Sequence, residues 1–528
     1  MNILKNKYFL YATEFFAGMS VMAIELGASR LLAPYFSSSQ IVWTVIIGAI
    51  MIAMSLGNIW GGRSADKNPN PSLLYKRLML AAVWTAAIPI VGKYVIGISS
   101  GLVALVITKN FLVWASLLSC ILLFVYPLMI LGTVTPSLVK YTTEDLESNG
   151  KVVGRLGALN TLGSILGTFI PTFLTIPAVG TAATFMIFAS ILLLLSIIYF
   201  MSSKKKYIQT GISVALIITF SFLNMSHSFA LSDKDLIHED ESIYNYLQVL
   251  ENDESIILST NVLFGVQSIK KKHESLTGMY YDYALAAPFM ANIDEIENPK
   301  LLILGLGTGT YAELCRELFN FSEIDGVEID KKIIDIAHEY FNLSEDINAI
   351  EGDGRIFLKS ASTYDVIMVD AYQDITIPFQ MSSIEFFEEV KKHLAKDGVM
   401  VVNMNMNSDG QGSINEYLES TIAHVFSDVY TIKVNNGTNK ELFASNNKKM
   451  ISNLLANSEN QSNERLKKLM VKIAKNCEKK SASKLLLTDN SAPVELLGME
   501  ALDSIIEQEL KYYRNLIKTE GLGALLDR

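Results

Sequence analysis

The sequence predicts a chain in two parts: a multi-pass α-helical membrane domain, then an α/β domain with a small β subdomain at its front. Half of the 528 residues are hydrophobic. Mean hydropathy is +0.30, which a wholly soluble chain of this length rarely reaches. The apolar runs crowd the part ending near Met225, and the rest has ordinary globular composition. Beyond Pro299, short apolar runs alternate with amphipathic ones, the pattern of a parallel sheet with crossover helices. Length allows two to four domains.

Composition also removes some functions. A formal net charge of −10 argues against a general nucleic-acid binder, which presents a basic surface. The three cysteines, Cys120, Cys315 and Cys477, form no CxxC pair, so no disulfide framework or structural zinc is expected. The six histidines are scattered without a paired-ligand motif, and no metal is expected.

Crossing a bilayer core takes roughly 20 apolar residues per helix. Runs of that kind lie at Tyr8–Leu26, Val42–Trp60, Leu78–Ile98, Phe111–Leu131, Leu156–Ile176, Thr181–Met201 and Ile208–Met225. The first is longer than a secretory signal core and lacks a convincing cleavage site, so it is expected to remain as a span. Basic residues recur at alternate ends: Lys5 and Lys7, then Arg63, Lys67, Lys76 and Arg77, then Lys140, Lys151 and Arg155, then Lys204–Lys206. The positive-inside rule puts the N-terminus and these turns in the cytoplasm of a multi-pass cell-membrane protein, with the bilayer as a partner. A true seventh span places everything after Met225 outside, and the acidic flank Asp233, Asp235, Glu239, Asp240 and Glu241 agrees. A cofactor made in the cytosol argues for the inside, so the side of the second half stays open at this stage.

Charges within spans are costly and often functional. Glu14, Glu25 and Arg30 are the candidates, with a place near headgroups as the alternative for Glu14 and Arg30. Gly57–Lys67, GNIWGGRSADK, is similar to the loop after the second helix of major-facilitator transporters, where glycines permit close packing and Arg and Asp pair at a helix end. Gly157–Thr168, GALNTLGSILGT, spaces small residues for close helix approach.

In the second half, Tyr244–Leu250, Ser255–Ser259 and Phe264–Lys270 read as short antiparallel strands. Gly278–Met290 reads as a helix. Alternation follows: LLILGL, a helix over Tyr311–Phe319, IDGVEI, a helix over Lys331–Tyr340, INAIEG, VIMVDA, a helix over Ile384–Leu394, and VMVVNM. Charged helical sequence over Lys448–Lys480, LLLTDNSAPVELLG and a helix from Glu500 complete the chain. The expected domains are 1–229 (membrane, about seven helices), 230–295 (small β subdomain and linking helix), 296–447 (α/β) and 448–528 (helical extension).

Ligands bind such Rossmann-like sheets at the carboxyl ends of the strands, near the switch point. LLILGLGTGTY at Leu301–Tyr311 ends its strand in Gly305, Gly307 and Gly309, where a side chain would block close backbone approach. Glu328 ends the next strand ~20 residues on, where an acid grips ribose hydroxyls. Asp353, followed by Gly354, stands after the third strand and can accept from an adenine amine. A nucleoside is the expected ligand. NAD fits less well because the glycines run GxGxG rather than GxGxxG. Asp370 ends the fourth strand, facing the reactive end of a nucleoside, and can deprotonate or orient an amine. A turn or helix-cap aspartate is the alternative. Asp374, Tyr244, Tyr281 and Asp282 are acceptor-side candidates, with simple packing as the alternative for the tyrosines.

These motifs carry a resemblance. FAGMSVMAIELGASRLLAPYFSSS, GGRSADK, LGALNTLGSILGT, LGLGTGT, VEID, DAYQD and LTDNSAPVE all have counterparts in the bacterial membrane-fused spermidine-synthase-like family, over nearly the whole chain. The second half resembles spermidine synthases, of the S-adenosylmethionine-dependent transferase fold. Those enzymes move the aminopropyl group of decarboxylated S-adenosylmethionine to a diamine. The resemblance implies Glu328 on ribose, Asp353 on adenine, Asp370 as base, and Tyr244 and Tyr281 along an acceptor channel. Two positions depart from the pattern: Thr308 and Gln373 stand where the soluble enzymes carry aspartates, with Asp374 displaced by one. Thr308 would tolerate the carboxylate of intact S-adenosylmethionine.

Three readings follow. The first is an aminopropyltransferase with a small amine or polyamine acceptor. The second is a methyltransferase or other enzyme using intact S-adenosylmethionine, and the third a transporter or sensor with a nucleoside-binding domain. Homo-oligomerisation is left open.

Overall fold

The computed structural model describes residues 6–143, 149–204, 207–225, 228–230, 234–260, 266–371, 377–405, 408, 410–435 and 437–520. Gln373 and Asp374, like Lys5, Lys205, Lys206, Asp233 and Phe264, lie outside the described residues.

Among the described residues, six helices are long and apolar enough to cross a membrane: Lys7–Phe36, Gln40–Lys67, Pro71–Val106, Phe111–Thr142, Asn149–Ser203 and Tyr207–Met225. The fifth runs 55 residues. At about 1.5 Å per residue it is more than twice a bilayer core in length. It breaks at Gly180, whose backbone sits at φ 80 and ψ 170. Before the break, Gly163 meets Phe15 and Gly167 meets Met19, so this arm runs parallel to the first helix. After it, Phe185 meets Gly27 and Phe188 clusters with Ala23 and Met19, so this arm returns antiparallel. The fifth helix therefore supplies both of the lengths expected at Leu156–Ile176 and Thr181–Met201.

Small residues let these helices touch. A Cβ on Gly163 would stand 2.0 Å from the Phe15 carbonyl, and one on Gly167 2.1 Å from that of Met19. Gly57–Lys67 is no loop. It forms the last turns of the second helix, with Gly57 against Met129 and Gly61 against Thr133. The charge pairing differs from the one expected: Asp66 pairs with Lys140 of the fourth apolar helix, at 2.9 Å, and not with an arginine. Glu14 is fully buried between helices, accepting from Thr135 Oγ1 at 2.5 Å and Asn160 Nδ2 at 3.0 Å.

Beyond the helices, β1 (Leu236–Glu241), β2 (Tyr246–Glu251), β3 (Ser255–Ser259) and β4 (Ser268–Lys271) form an antiparallel sheet in that order. β1 is the acidic LIHEDE that the sequence offered only as a flank. The main sheet holds β5 (Lys300–Leu304), β6 (Glu323–Glu328), β7 (Asn348–Glu351), β8 (Tyr364–Val369), β9 (Leu394–Met404), β10 (Asp428–Lys433), β11 (Lys440–Ser445) and β12 (Glu478–Lys480). Its order is β12-β10-β11-β9-β8-β5-β6-β7. β9-β8-β5-β6-β7 are parallel, whereas β11, β10 and β12 add antiparallel. The 448–528 stretch is thus more than a helical extension, since β12 completes the sheet edge. The parallel order reverses between β5 and β8, which is where ligands bind such sheets.

The α/β part sits on one end of the helical bundle. Arg30 donates to the carbonyls of Ser242 at 3.3 Å and of Ile243. Thr181 N–H and hydroxyl both meet Glu241. The last helix, Val494–Glu520, straps across: Asp503 accepts from the Asn110 and Phe111 amides, and Arg514 donates to the Ala104 carbonyl. The basic turns lie at the other end, where Arg77 meets Ser64, Arg155 meets Tyr11, and Ser72 meets Tyr199.

Candidate active site

The β5 strand ends in a turn that only glycine can make. Gly305 has φ +93, and a Cβ there would stand 2.5 Å from the Asp370 carbonyl oxygen. Gly307 has φ +56, with Ser268 Oγ 2.8 Å from where its Cβ would be. The turn lies flat against the ends of β6 and β8 and opens a cavity of about 210 Å³.

Gly305, Leu306 and Gly307 form one wall of it, and Glu328 with Ile329 the next. Gly352, Asp353 and Gly354 follow β7, and Asp370 with Ala371 follows β8. Tyr244, Gln267, Ser268 and Tyr281 close it from the small β subdomain and linking helix. Four strand ends and the subdomain thus converge on one space, as the sequence order of the motifs predicted.

Asp370 is held from both sides. Its Oδ2 accepts from Tyr280 Oη at 2.7 Å and its Oδ1 from Asn403 Nδ2 at 2.8 Å. It caps no helix. Burial raises its carboxyl to about 7, the two hydrogen bonds pull the other way, and the Glu328 charge adds to the rise. A base poised near neutrality suits general base catalysis.

Glu328 bridges the turn: its Oε2 accepts from Gly307 N at 2.9 Å and its Oε1 from Asp330 N at 3.2 Å. Burial raises its carboxyl above the ordinary range, opposed by the Gly307 and Asp330 amides. Asp353 accepts from Ile356 N at 2.9 Å and so caps Gly354–Leu358 while facing the cavity. Tyr281 donates to the Gln267 carbonyl at 3.0 Å, and burial raises its phenol.

Three expected residues stand elsewhere. Asp282 is buried and tied to the Thr277 and Gly278 amides at 2.9 and 2.7 Å, so it fixes a turn and does not reach the cavity. Thr308 is buried with its amide on Ser268 Oγ and lines a different, smaller cleft. Gly309 serves packing: its φ is +82, and a Cβ would meet Leu343 at 2.3 Å.

Sequence reasoning missed Tyr280 and Asn403. Asn403 carried a signal, as a polar residue closing the apolar run VMVVNM at a strand's carboxyl end. Tyr280 carried none that separates it from Tyr281. Glu441 was missed too: it is fully buried opposite Asn403 in the sheet, and neither carboxylate oxygen has a hydrogen-bond partner. Burial, then the Asp370 charge, holds its carboxyl well above the usual range. LTDNSAPVE acts through Asp489, which takes both guanidinium nitrogens of Arg355 at 2.8 and 2.7 Å. Arg355 in turn holds the Gln380 carbonyl at the cavity rim at 2.8 Å. Among the described residues no group of three or more His, Cys, Asp or Glu side chains converges as a metal site would.

A spermine/spermidine synthase domain model matches residues 289–450. A probable polyamine aminopropyl transferase of Bifidobacterium longum (strain NCC 2705) is 48% identical over 348 residues, covering 62% of this chain and 77% of its own. The chain belongs to the polyamine aminopropyltransferase family. The polyamine aminopropyltransferase of Vibrio vulnificus (strain CMCP6) is 29% identical over 231 residues, 42% of this chain and 75% of that one. Among solved structures, a probable spermidine synthase from Corynebacterium glutamicum ATCC 13032 is 18% identical, with a TM-score of 0.37 over 47% of this chain and 95% of its own. Family membership makes the chain a transferase of the polyamine aminopropyltransferase type and meets the expectation drawn from the motifs. It favours the first of the three readings.

Proposed function

We propose that the chain transfers the aminopropyl group of decarboxylated S-adenosylmethionine to an amine. The observation that carries the choice of donor is the charge of the cavity. Glu328, Asp353 and Asp370 line it, and among the described residues no Lys, Arg or His does. An aminopropyl ammonium is welcome there, whereas the carboxylate of the intact donor meets only like charge. The Thr308 argument for the intact donor loses its footing, because that side chain does not face the cavity.

In this reading the flat glycine turn admits the nucleoside, Glu328 takes the ribose hydroxyls and Asp353 the adenine amine. Tyr244 and Tyr281 flank the acceptor. Asp370 takes the proton from the attacking nitrogen. The new bond forms between that nitrogen and the donor methylene beside sulfur. The carbon–sulfur bond breaks, and its electron pair neutralises the sulfonium to leave methylthioadenosine. Gln373 and Asp374 remain acceptor-side candidates from the resemblance alone.

The test is calorimetric titration with both donors, together with analysis of the nucleoside product. Binding of the decarboxylated donor and release of methylthioadenosine are expected. Preference for the intact donor with release of S-adenosylhomocysteine would overturn the reading. Asp370→Asn is expected to keep donor binding and lose about 10²–10⁴-fold in rate.

We also propose a domain order of membrane bundle, β subdomain, α/β domain and strap. The α/β part would lie on the membrane face away from the basic turns. What supports this is that all described contacts between the two parts fall at the bundle end opposite Lys67, Lys140 and Lys204.

A further inference from the structure

A second cavity, of about 390 Å³, lies between the bundle and the α/β domain. The end of the first helix and the start of the second form one wall, through Arg30, Ala33, the serines Ser37–Ser39, and Trp43. The strap's first turns form the other, through Glu495, Met499 and Leu502. Tyr244, Pro378 and Gln380 line this cavity and the donor cavity alike. A flexible chain lying in the second can therefore pass its end beside Tyr244 into the first, where Asp370 waits.

We infer that this cavity is the acceptor's entry site, and that it takes a primary ammonium on a carbon chain, with Glu495 as its counter-charge. The inference rests on the transferase reading for the acceptor's being an amine. The charge of the walls supports it separately. Arg30 is engaged by the Ser242 and Ile243 carbonyls. Among the described residues none pairs with the half-buried Glu495 carboxylate, which leaves it the open charge of the cavity. The serine hydroxyls can accept from an ammonium, and the indole of Trp43 offers a cation a π face. Ile243 and Phe379, exposed to solvent at 48% and 55%, give a carbon chain apolar surface between the two cavities. The wall belongs to helix ends at the membrane surface, where both a lipid amine and a soluble polyamine can reach it.

The test uses the full chain in nanodiscs and dansylcadaverine, a fluorescent primary amine on a five-carbon chain. Glu495→Gln removes the charge. Ala33→Phe fills the cavity from a helical position and touches no group assigned to catalysis. Each is expected to weaken probe binding by about tenfold or more, the scale of one charge-assisted contact. Calorimetric binding of the decarboxylated donor is expected to stay within about twofold. Unchanged probe affinity in both variants would overturn the inference, as would failure of the unaltered protein to bind the probe. Competition by phosphatidylethanolamine discs over phosphatidylcholine discs marks a lipid headgroup as the amine's source, and competition by putrescine marks a soluble one. Both outcomes support the site. Because probe binding needs no turnover, absence of methylthioadenosine would count against the transferase reading and leave this result standing.

Discussion

The proposed reaction concentrates its chemistry in one carboxyl group, that of Asp370, whose neighbours set its working range. Burial raises it, while Tyr280 and Asn403 donate to its charged form and hold the rise at about 7. The activity limb that follows this base is expected near pH 7, with rate rising as pH increases. Removing a donor to the charged form raises the pKa further. Tyr280→Phe is therefore expected to move the limb upward, losing more activity at about pH 6.5 than at about pH 8.5. A pH profile of kcat/KM checks it, and an unmoved limb would refute the role given to Tyr280. Stability carries the opposite sign. A buried carboxyl raised above its unfolded value disfavours the ionised folded state, so this group's contribution falls as pH climbs from about 4 to about 7.

At the scale of elements, two glycine arrangements decide close approach. The turn after β5 needs Gly305 for both reasons a glycine can be needed, a φ of +93 and a Cβ 2.5 Å from backbone oxygen. Gly305→Ala is expected to abolish donor binding and to lower stability by about 1–3 kcal/mol. Calorimetry and thermal unfolding measure the two separately. In the bundle, Gly167 lets the fifth helix lie on the first, with its missing Cβ 2.1 Å from the Met19 carbonyl. Gly167→Leu is expected to force these helices apart and weaken the Asn160–Glu14 hydrogen bond that joins them. Loss of folded protein on size exclusion in detergent, against a tolerated Gly150→Leu with open space around it, checks the prediction.

At the scale of the molecule, the proposed topology makes helix directions set which side the chemistry faces. In it the six long apolar helices among the described residues, the fifth counted twice at its break, take the chain from the basic N-terminal side to the opposite one, and the α/β domain docks at that end through Arg30, Thr181, Asp503 and Arg514. The last span, Tyr207–Met225, is 19 residues long and follows directly after Lys204. Its length is that of one crossing. In intact cells, an impermeant maleimide is expected to label Asp253→Cys, in the β2–β3 turn, and to spare Asn68→Cys, in the turn after the second helix. The reverse pattern would put catalysis in the cytoplasm and require a different span count.

How much of this was legible follows from the range of the interactions involved. Spans, glycine turn and strand-end acids are local: hydropathy over ~20 residues and residue types at fixed offsets specify them, so the placing of Glu328, Asp353 and Asp370 at strand ends around one cavity was legible. Family motifs in the sequence likewise determined the transferase class. What escaped depended on pairing between distant segments. Asn403 and Glu441 reach Asp370's neighbourhood only because β9 and β11 join the sheet beyond β8, an order no local pattern encodes. Asp282 looked like a site residue, but a turn five residues earlier had claimed its oxygens. Only the tertiary structure decided that β1 exists, that LTDNSAPVE braces Arg355, and that the bundle and the α/β domain enclose a cavity between them. The Arg355 brace and the cavity join segments more than a hundred residues apart in the chain, and sequence spacing carries no information about their contact.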